Sequence, residues 1–236
     1  MADAPGPDAS GSPDGTRPTT GELTDAQRSL RAQMLATEHW SLLASRSTTQ
    51  SEVLTRIAIY LTLVSAGLVT LSVLGNVTGF RGWFGVAALG VLLLLVLLGL
   101  ITQKRTFNAS LDDLMFVIAM NRLRGAYLDL DPGIGPYLLT SANDDEAGSA
   151  QTYYPFSPRP GQIWASSAMI ISVVVAAVIA LFVGGVVLGL TGPIWLAITL
   201  GLLAGLGSIA LWMRSGYRGY TAVFRLHSPL RTTSDD

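Results

Sequence analysis

The stretch IAIYLTLVSAGLVTLSVLGNVTGFRGWFGVAALGVLLLLVLLGLI, residues 57–101, decides the fold. It holds two apolar segments, 57–77 and 83–101, joined by turn-forming residues between Asn76 and Gly82, and its one charged residue is Arg81. Each segment approaches the roughly 20 apolar residues that a helix needs to cross a bilayer, so the pair reads as a membrane hairpin. A second hairpin follows over residues 164–213, turning at Thr191, Gly192 and Pro193, with spans near 166–190 and 194–213. The expected fold class is an all-α membrane protein with four transmembrane helices in two hairpins, the first extended by helices outside the membrane.

Composition agrees. The 236 residues are 50% hydrophobic and 13% charged, with a mean hydropathy of +0.46, whereas soluble domains carry about a quarter charged residues. The formal net charge is −1, without the basic excess that would draw the chain to nucleic acid. There is no cysteine, which excludes disulfides, thiolate nucleophiles and cysteine metal ligands.

The flanks set the boundaries. Arg56 at the centre of a span would cost about 3 kcal/mol, but at its edge it can reach the interface, so the first span begins after it. Lys104 and Arg105 close the second span, and Arg214 follows the fourth. Trp83, Trp164, Trp195 and Trp212 all fall near span ends, as interfacial aromatic residues do. All but Arg81 of the 15 Lys and Arg fall on one side of these spans. The positive-inside rule then places both termini and the central loop in the cytoplasm, in a multi-pass protein of the cell membrane.

Outside the membrane, residues 1–22 are rich in Pro, Gly, Asp, Ser and Thr. They read as a disordered tail rather than a signal peptide. Residues 23–56 read as a cytoplasmic amphipathic helix, opened by the capping-box pair Thr24 and Gln27. With no Gly or Pro between Glu22 and Gly67, this helix can run on into the first span; a break in the polar run at 45–51 is the alternative. Residues 102–130 carry Leu111, Leu114, Met115, Ile118 and Leu123 at helical spacing, and this helix should lie antiparallel to the first. The Pro and Gly residues from Pro132 to Pro136 end it, and 131–163 reads as a loop, with Asp144, Asp145 and Glu146 as a solvated acidic run. Residues 214–236 form a basic, aromatic tail suited to anionic headgroups.

Small residues mark the second hairpin. Ala176, Ala180 and Gly184 recur every four residues, overlapping Gly185 and Gly189, with Gly201 and Gly205 on the partner helix. Such spacing lets membrane helices approach closely where lipid supplies no drive to associate, within the chain or in a homo-oligomer.

No phosphate loop, paired-histidine metal motif or nucleophile elbow is present. His39 and His227 are the only histidines, and the four spans contain no Asp, Glu, Lys, Arg or His, which argues against a proton-coupled transporter. No catalytic residue, cofactor or metal site is expected. The segments Glu38, His39, Trp40, Ser41, Leu42, Leu43 and Asn121, Arg122, Leu123, Arg124, Gly125, Ala126, Tyr127, Leu128 resemble an uncharacterised family of bacterial, mainly actinobacterial, membrane proteins. That family implies no activity. The order helix, span, turn, span, helix over residues 24–130 is similar in layout to the SLATT membrane effector domains. The functional expectation is a non-enzymatic anchor, scaffold or sensor in the lipid bilayer, with a cytoplasmic protein partner. The alternative is an oligomeric pore lined by Thr62, Ser65 and Ser72, with Tyr60 near its end.

Overall fold

Thr24 starts the first helix as its capping pair requires. Its hydroxyl oxygen accepts from the Gln27 amide at 3.3 Å, and the Gln27 side chain accepts from the Thr24 amide at 2.9 Å. The computed structural model describes residues 23–156 and 166–233. In it α1 runs unbroken over Asp25–Thr78, so the break considered at 45–51 does not occur. The hydroxyls of that region do not compete with the helix. Thr48 and Thr55 donate to carbonyls four residues back, at 2.9 Å each, leaving the backbone ladder intact.

Gly79 ends α1 in the left-handed region, φ 60°, where a residue without Cβ meets no steric penalty. The Phe80 ring then folds over Gly75, where no side chain would fit. After this turn α2 runs over Phe84–Leu130, so the second span and the following helix are one rod. Asp131 stops it, accepting from the Gly133 amide at 2.9 Å and opening a 3₁₀ turn over Pro132–Tyr137. A short α3, Glu146–Tyr153, follows. The second hairpin comprises α4, Ser167–Thr191, and α5, Ile194–Leu226. The expected fourth span ends at 213 and residues 214–236 read as a tail; α5 itself runs on to Leu226, because residues 214–226 contain no proline and pack against α2.

Four helices, α1, α2, α4 and α5, are long and apolar enough to cross a membrane, and the fold is all-α. Pairwise packing runs α1 on α2, α2 on α4 and α4 on α5, which leaves α1 and α5 as the two edges. The core lies along the middle of this row. Val53, Ile57 and Tyr60 of α1 meet Ala109 of α2 with Ile171 and Val175 of α4, and Leu92, Leu95 and Val96 of α2 meet Val178. Two polar links cross it. The Tyr60 hydroxyl donates to the Leu95 carbonyl at 3.2 Å, over Gly99, and fully buried Gln103 donates to the Ser172 hydroxyl at 2.9 Å. Just before the start of the first expected span, Glu52 accepts from Arg56 at 2.8 Å and from Arg105 at 2.9 Å, and Arg105 also reaches Asp112 at 3.3 Å. Two of the cations expected to serve the interface thus share one carboxylate. Such exposed pairs contribute little stability individually, and their position marks where apolar packing gives way to the charged end.

Candidate interaction site at the charged end

Beyond this collar the extensions of α1, α2 and α5 form a stalk, and loop residues fasten it. Asp144, read from the sequence as part of a solvated acidic run, is instead the most heavily bonded carboxylate of the stalk, with its side chain 1% exposed. One carboxylate oxygen accepts from the backbone amides of Leu230 and Arg231, both at 2.9 Å. The other accepts from Arg122 Nε at 2.8 Å, and His227 Nε2 lies 3.2 Å from it and 2.8 Å from the Asp144 carbonyl. The Arg122 guanidinium also reaches the Ser228 carbonyl at 2.9 Å. Asp145 caps α3 through the Gly148 amide at 2.7 Å and accepts from the Thr233 amide at 2.8 Å. The acidic run is therefore a clasp that ties the segment after α5 to α2. Burial would favour protonated Asp144, but the Arg231 amide, Arg122 and the Leu230 amide outweigh it and hold its pKa below the ordinary range.

The residues of α2 next to Asp144 are used in full. Asn121, 0% exposed, donates to the Asn143 carbonyl at 2.9 Å and accepts from Arg124 at 2.7 Å and Thr152 at 2.8 Å. One turn on, the Arg231 side chain lies over Gly125 and pairs with Asp129. Arg231, part of the tail read as meeting headgroups, and His227, a histidine expected to be structural or solvated, both bond to other parts of the chain. A second acid, Asp113, joins three elements. It accepts from Arg46 of α1 at 2.6 and 3.1 Å, from Gln50 at 2.9 Å and from the Tyr153 hydroxyl of α3 at 2.7 Å. Burial opposes its charge, and these donors outweigh burial to lower its pKa. The Tyr153 hydroxyl is pushed up, by burial first and then by the neighbouring carboxylate. Arg124 and His39 are both lowered, chiefly by burial; Arg46 adds to the shift of Arg124, and Arg124 adds to that of His39.

These shifts fix the sign of the acid response. The folded pKa values of Asp144, Asp145 and Asp113 lie below their unfolded values. Their contribution is therefore complete above the unfolded value, about 3.9 for aspartate, and is lost as pH falls through the folded values. A nitroxide on Leu230→Cys should show an immobilised spectrum at neutral pH and become mobile on acidification below about pH 4. An unchanged line shape down to pH 2 would remove Asp144 as the fastening group.

Around these contacts lies an apolar groove of about 510 Å³. Its floor is Met115, Ile118, Ala119 and Leu123 of α2, its walls are Leu42 of α1 with Val223 and Leu226 of α5, and Glu38, Arg122 and His227 mark its rim. Two glycines set its α5 wall, because they bring α5 onto α2. A Cβ at Gly216 would meet the Phe107 ring at 2.8 Å, and one at Gly219 would meet Leu111 at 3.1 Å. Trp212, expected at the interface, stacks on the same Phe107 ring at 5.2 Å between centroids. The sequence reading missed both glycines, although they continue the small-residue run of α5 beyond Gly201 and Gly205.

The remaining expected positions fall as follows. A Cβ at Gly201 would lie 2.6 Å from the Ala180 carbonyl oxygen, one at Gly205 2.8 Å from that of Ala176, and one at Gly184 3.1 Å from that of Ala197. Gly185 faces the Leu89 side chain, at 3.1 Å from its would-be Cβ, whereas a Cβ at Gly189 would meet nothing within 4 Å among the described residues of the chain. Trp83 and Trp195 are exposed beside their helix starts, Lys104 and Arg214 are exposed, and Trp164 lies outside the described residues. Among the described residues no three His, Asp or Glu side chains are placed to hold a metal ion. Comparison with known proteins found no matching family model, no matching curated protein and no matching solved structure.

Proposed function

We propose that the chain is a non-enzymatic membrane anchor or scaffold, lying in the bacterial cell membrane with its stalk in the cytoplasm, and that the stalk receives an apolar segment of another protein. The orientation rests on the one-sided distribution of Lys and Arg. The groove between α1, α2 and α5 carries the reading: seven apolar side chains line it outside the spans, in a size range suited to burying a ligand's side chains. Arg122 and His227 beside it are engaged in fastening helices and loop together, which gives the groove a fixed shape. The weakly polar face of the first span supports an anchor more than a pore, because Thr62 and Ser65 already donate to their own helix at 2.9 Å.

A charge in the groove should abolish recognition without loosening the fold, since Leu226 is 88% exposed and Leu123 only half-buried. Purification in mild detergent should recover a partner with the parent chain and lose it with the Leu123→Glu, Leu226→Glu double variant. Identical sets of copurifying proteins from both chains, with equal thermal stability, would overturn the groove as the recognition site.

A further inference from the structure

The face of α1 turned away from α2 carries a seven-residue repeat that none of the described residues covers. Ala44, Ser51, Ala58, Ser65 and Ser72 recur every seven residues, and Thr48, Thr55 and Thr62 recur at the same interval four residues after them. These are the spacings of the two core positions of a coiled coil. Extended towards the start of the helix, the same two series pass through Leu23, Leu30 and Met34. All sixteen positions of the combined series from Leu23 to Asn76 are exposed. The opposite side of the helix, with Val53, Ile57 and Tyr60, is the one that packs on α2 and α4.

Lipid does not account for this face. Leu30 and Met34 are 59% and 66% exposed, yet they precede Arg56 by about 39 and 33 Å of helix at 1.5 Å per residue, far beyond the bilayer edge. Within the span the pattern reverses: the series offers mainly small side chains, while exposed Ile59, Leu63 and Leu68 lie off it. A helix that only faced lipid would have no reason to separate them so. Small residues in a membrane helix allow a second backbone to approach closely, and large apolar residues outside the membrane need a partner to exclude water.

We propose that a second copy of the chain covers this face, with the two α1 helices paired in parallel along their whole length. Parallel pairing follows from the membrane reading, on which the proposal rests, because two copies inserted alike present the same heights to each other. The size is sufficient. Sixteen seam residues and their flanking neighbours approach the roughly 20–30 residues a side of a stable interface. Charge permits it too: Arg31, Glu38 and Glu52 flank the seam on one side, while Ala26, Gln33 and Ser47, which would face them across a parallel pair, are uncharged. The hydroxyls of Thr48, Thr55, Thr62 and Ser65 donate to their own helix at 2.9 Å, so the seam can be dry. A strict seven-residue period over this length implies a left-handed supercoil.

Absence of native cysteine allows single-site crosslinking in intact membranes, after alkaline carbonate extraction has shown whether the chain is integral. Leu30→Cys, Ser51→Cys and Ser65→Cys should each give a disulfide-linked dimer on mild oxidation, whereas Ala32→Cys and Thr70→Cys, exposed on the same helix but off the seam, should not. Adding Ala58→Leu and Ser65→Leu to the Leu30→Cys chain should reduce its dimer severalfold while leaving thermal stability of the monomer unchanged. Equal crosslinking on and off the seam, or none at any position, overturns the pairing with the membrane reading intact. Release by carbonate overturns the membrane reading and the parallel pairing built on it.

Discussion

Replacing Asp144 by alanine is expected to free the segment after α5 from the stalk. The carboxylate is buried and serves Leu230, Arg231, Arg122 and His227 together. Its loss leaves two amides and a guanidinium without their acceptor. Removing one member of a buried, hydrogen-bonded charge group costs roughly 3–5 kcal/mol; here half-exposed Arg122 can turn to water, so the lower end of that range, about 3 kcal/mol, applies. The cost falls on the clasp before it falls on the spans, because the helix core around Val175 and Leu95 does not involve Asp144. Limited trypsin digestion should cleave at Arg225 or Arg231 in Asp144→Ala under conditions where the parent resists. Asp144→Asn should be intermediate, since its amide oxygen can still accept from both backbone amides but carries no charge for Arg122. If Asp144→Ala is as resistant as the parent, the tail is held by something other than this carboxylate.

The second large effect is expected where α4 and α5 touch. A methyl group on Gly201 would lie 2.6 Å from a backbone oxygen of α4 and 3.4 Å from the Gly184 Cα, and neither can swing aside as a flexible side chain would. Gly201→Ala must therefore push the helices apart, losing packing along the hairpin at a cost of about 1–3 kcal/mol, and Gly201→Leu should cost more. Two controls give the measurement its meaning. Gly185→Ala meets only the movable end of Leu89, and Gly189→Ala meets nothing within 4 Å, so both should stay within about 1 kcal/mol of the parent, helped by the better helix propensity of alanine. Thermal unfolding in detergent, followed by tryptophan fluorescence, ranks the four. Equal midpoints for Gly201→Leu and Gly189→Ala would show that the hairpin does not depend on this close contact.

What could be read from sequence was what depends on near neighbours along the chain. The capping pair at Thr24, the continuity of α1 through a glycine-free and proline-free stretch, and the turns at Gly79 and Gly192 all follow from local composition, and each is present. The apolar runs give the four long helices for the same reason. The clasp was invisible because its bonds join residues 22 to 88 positions apart. An acidic run in a Gly and Ser context looks the same whether water or a distant backbone amide meets it. Part of the signal was nevertheless present. Asp145 three residues before Gly148 is a helix N-cap pattern, and Gly216 and Gly219 prolong a small-residue series whose meaning was already clear at Gly201. The error was to end that series at the membrane edge, although helices can approach closely in water as well.

The clasp also has a place in time. Arg231 follows Asp144 by 87 residues, and the whole second hairpin lies between them. A ribosome delivers the acid long before the amides that donate to it, so Asp144 must wait without them until α4 and α5 have been made. The bond closes only once α4 and α5 are paired and the segment after Leu226 lies beside the loop that holds Asp144. Closure of this one contact thus reports that the second hairpin has formed and docked on the stalk.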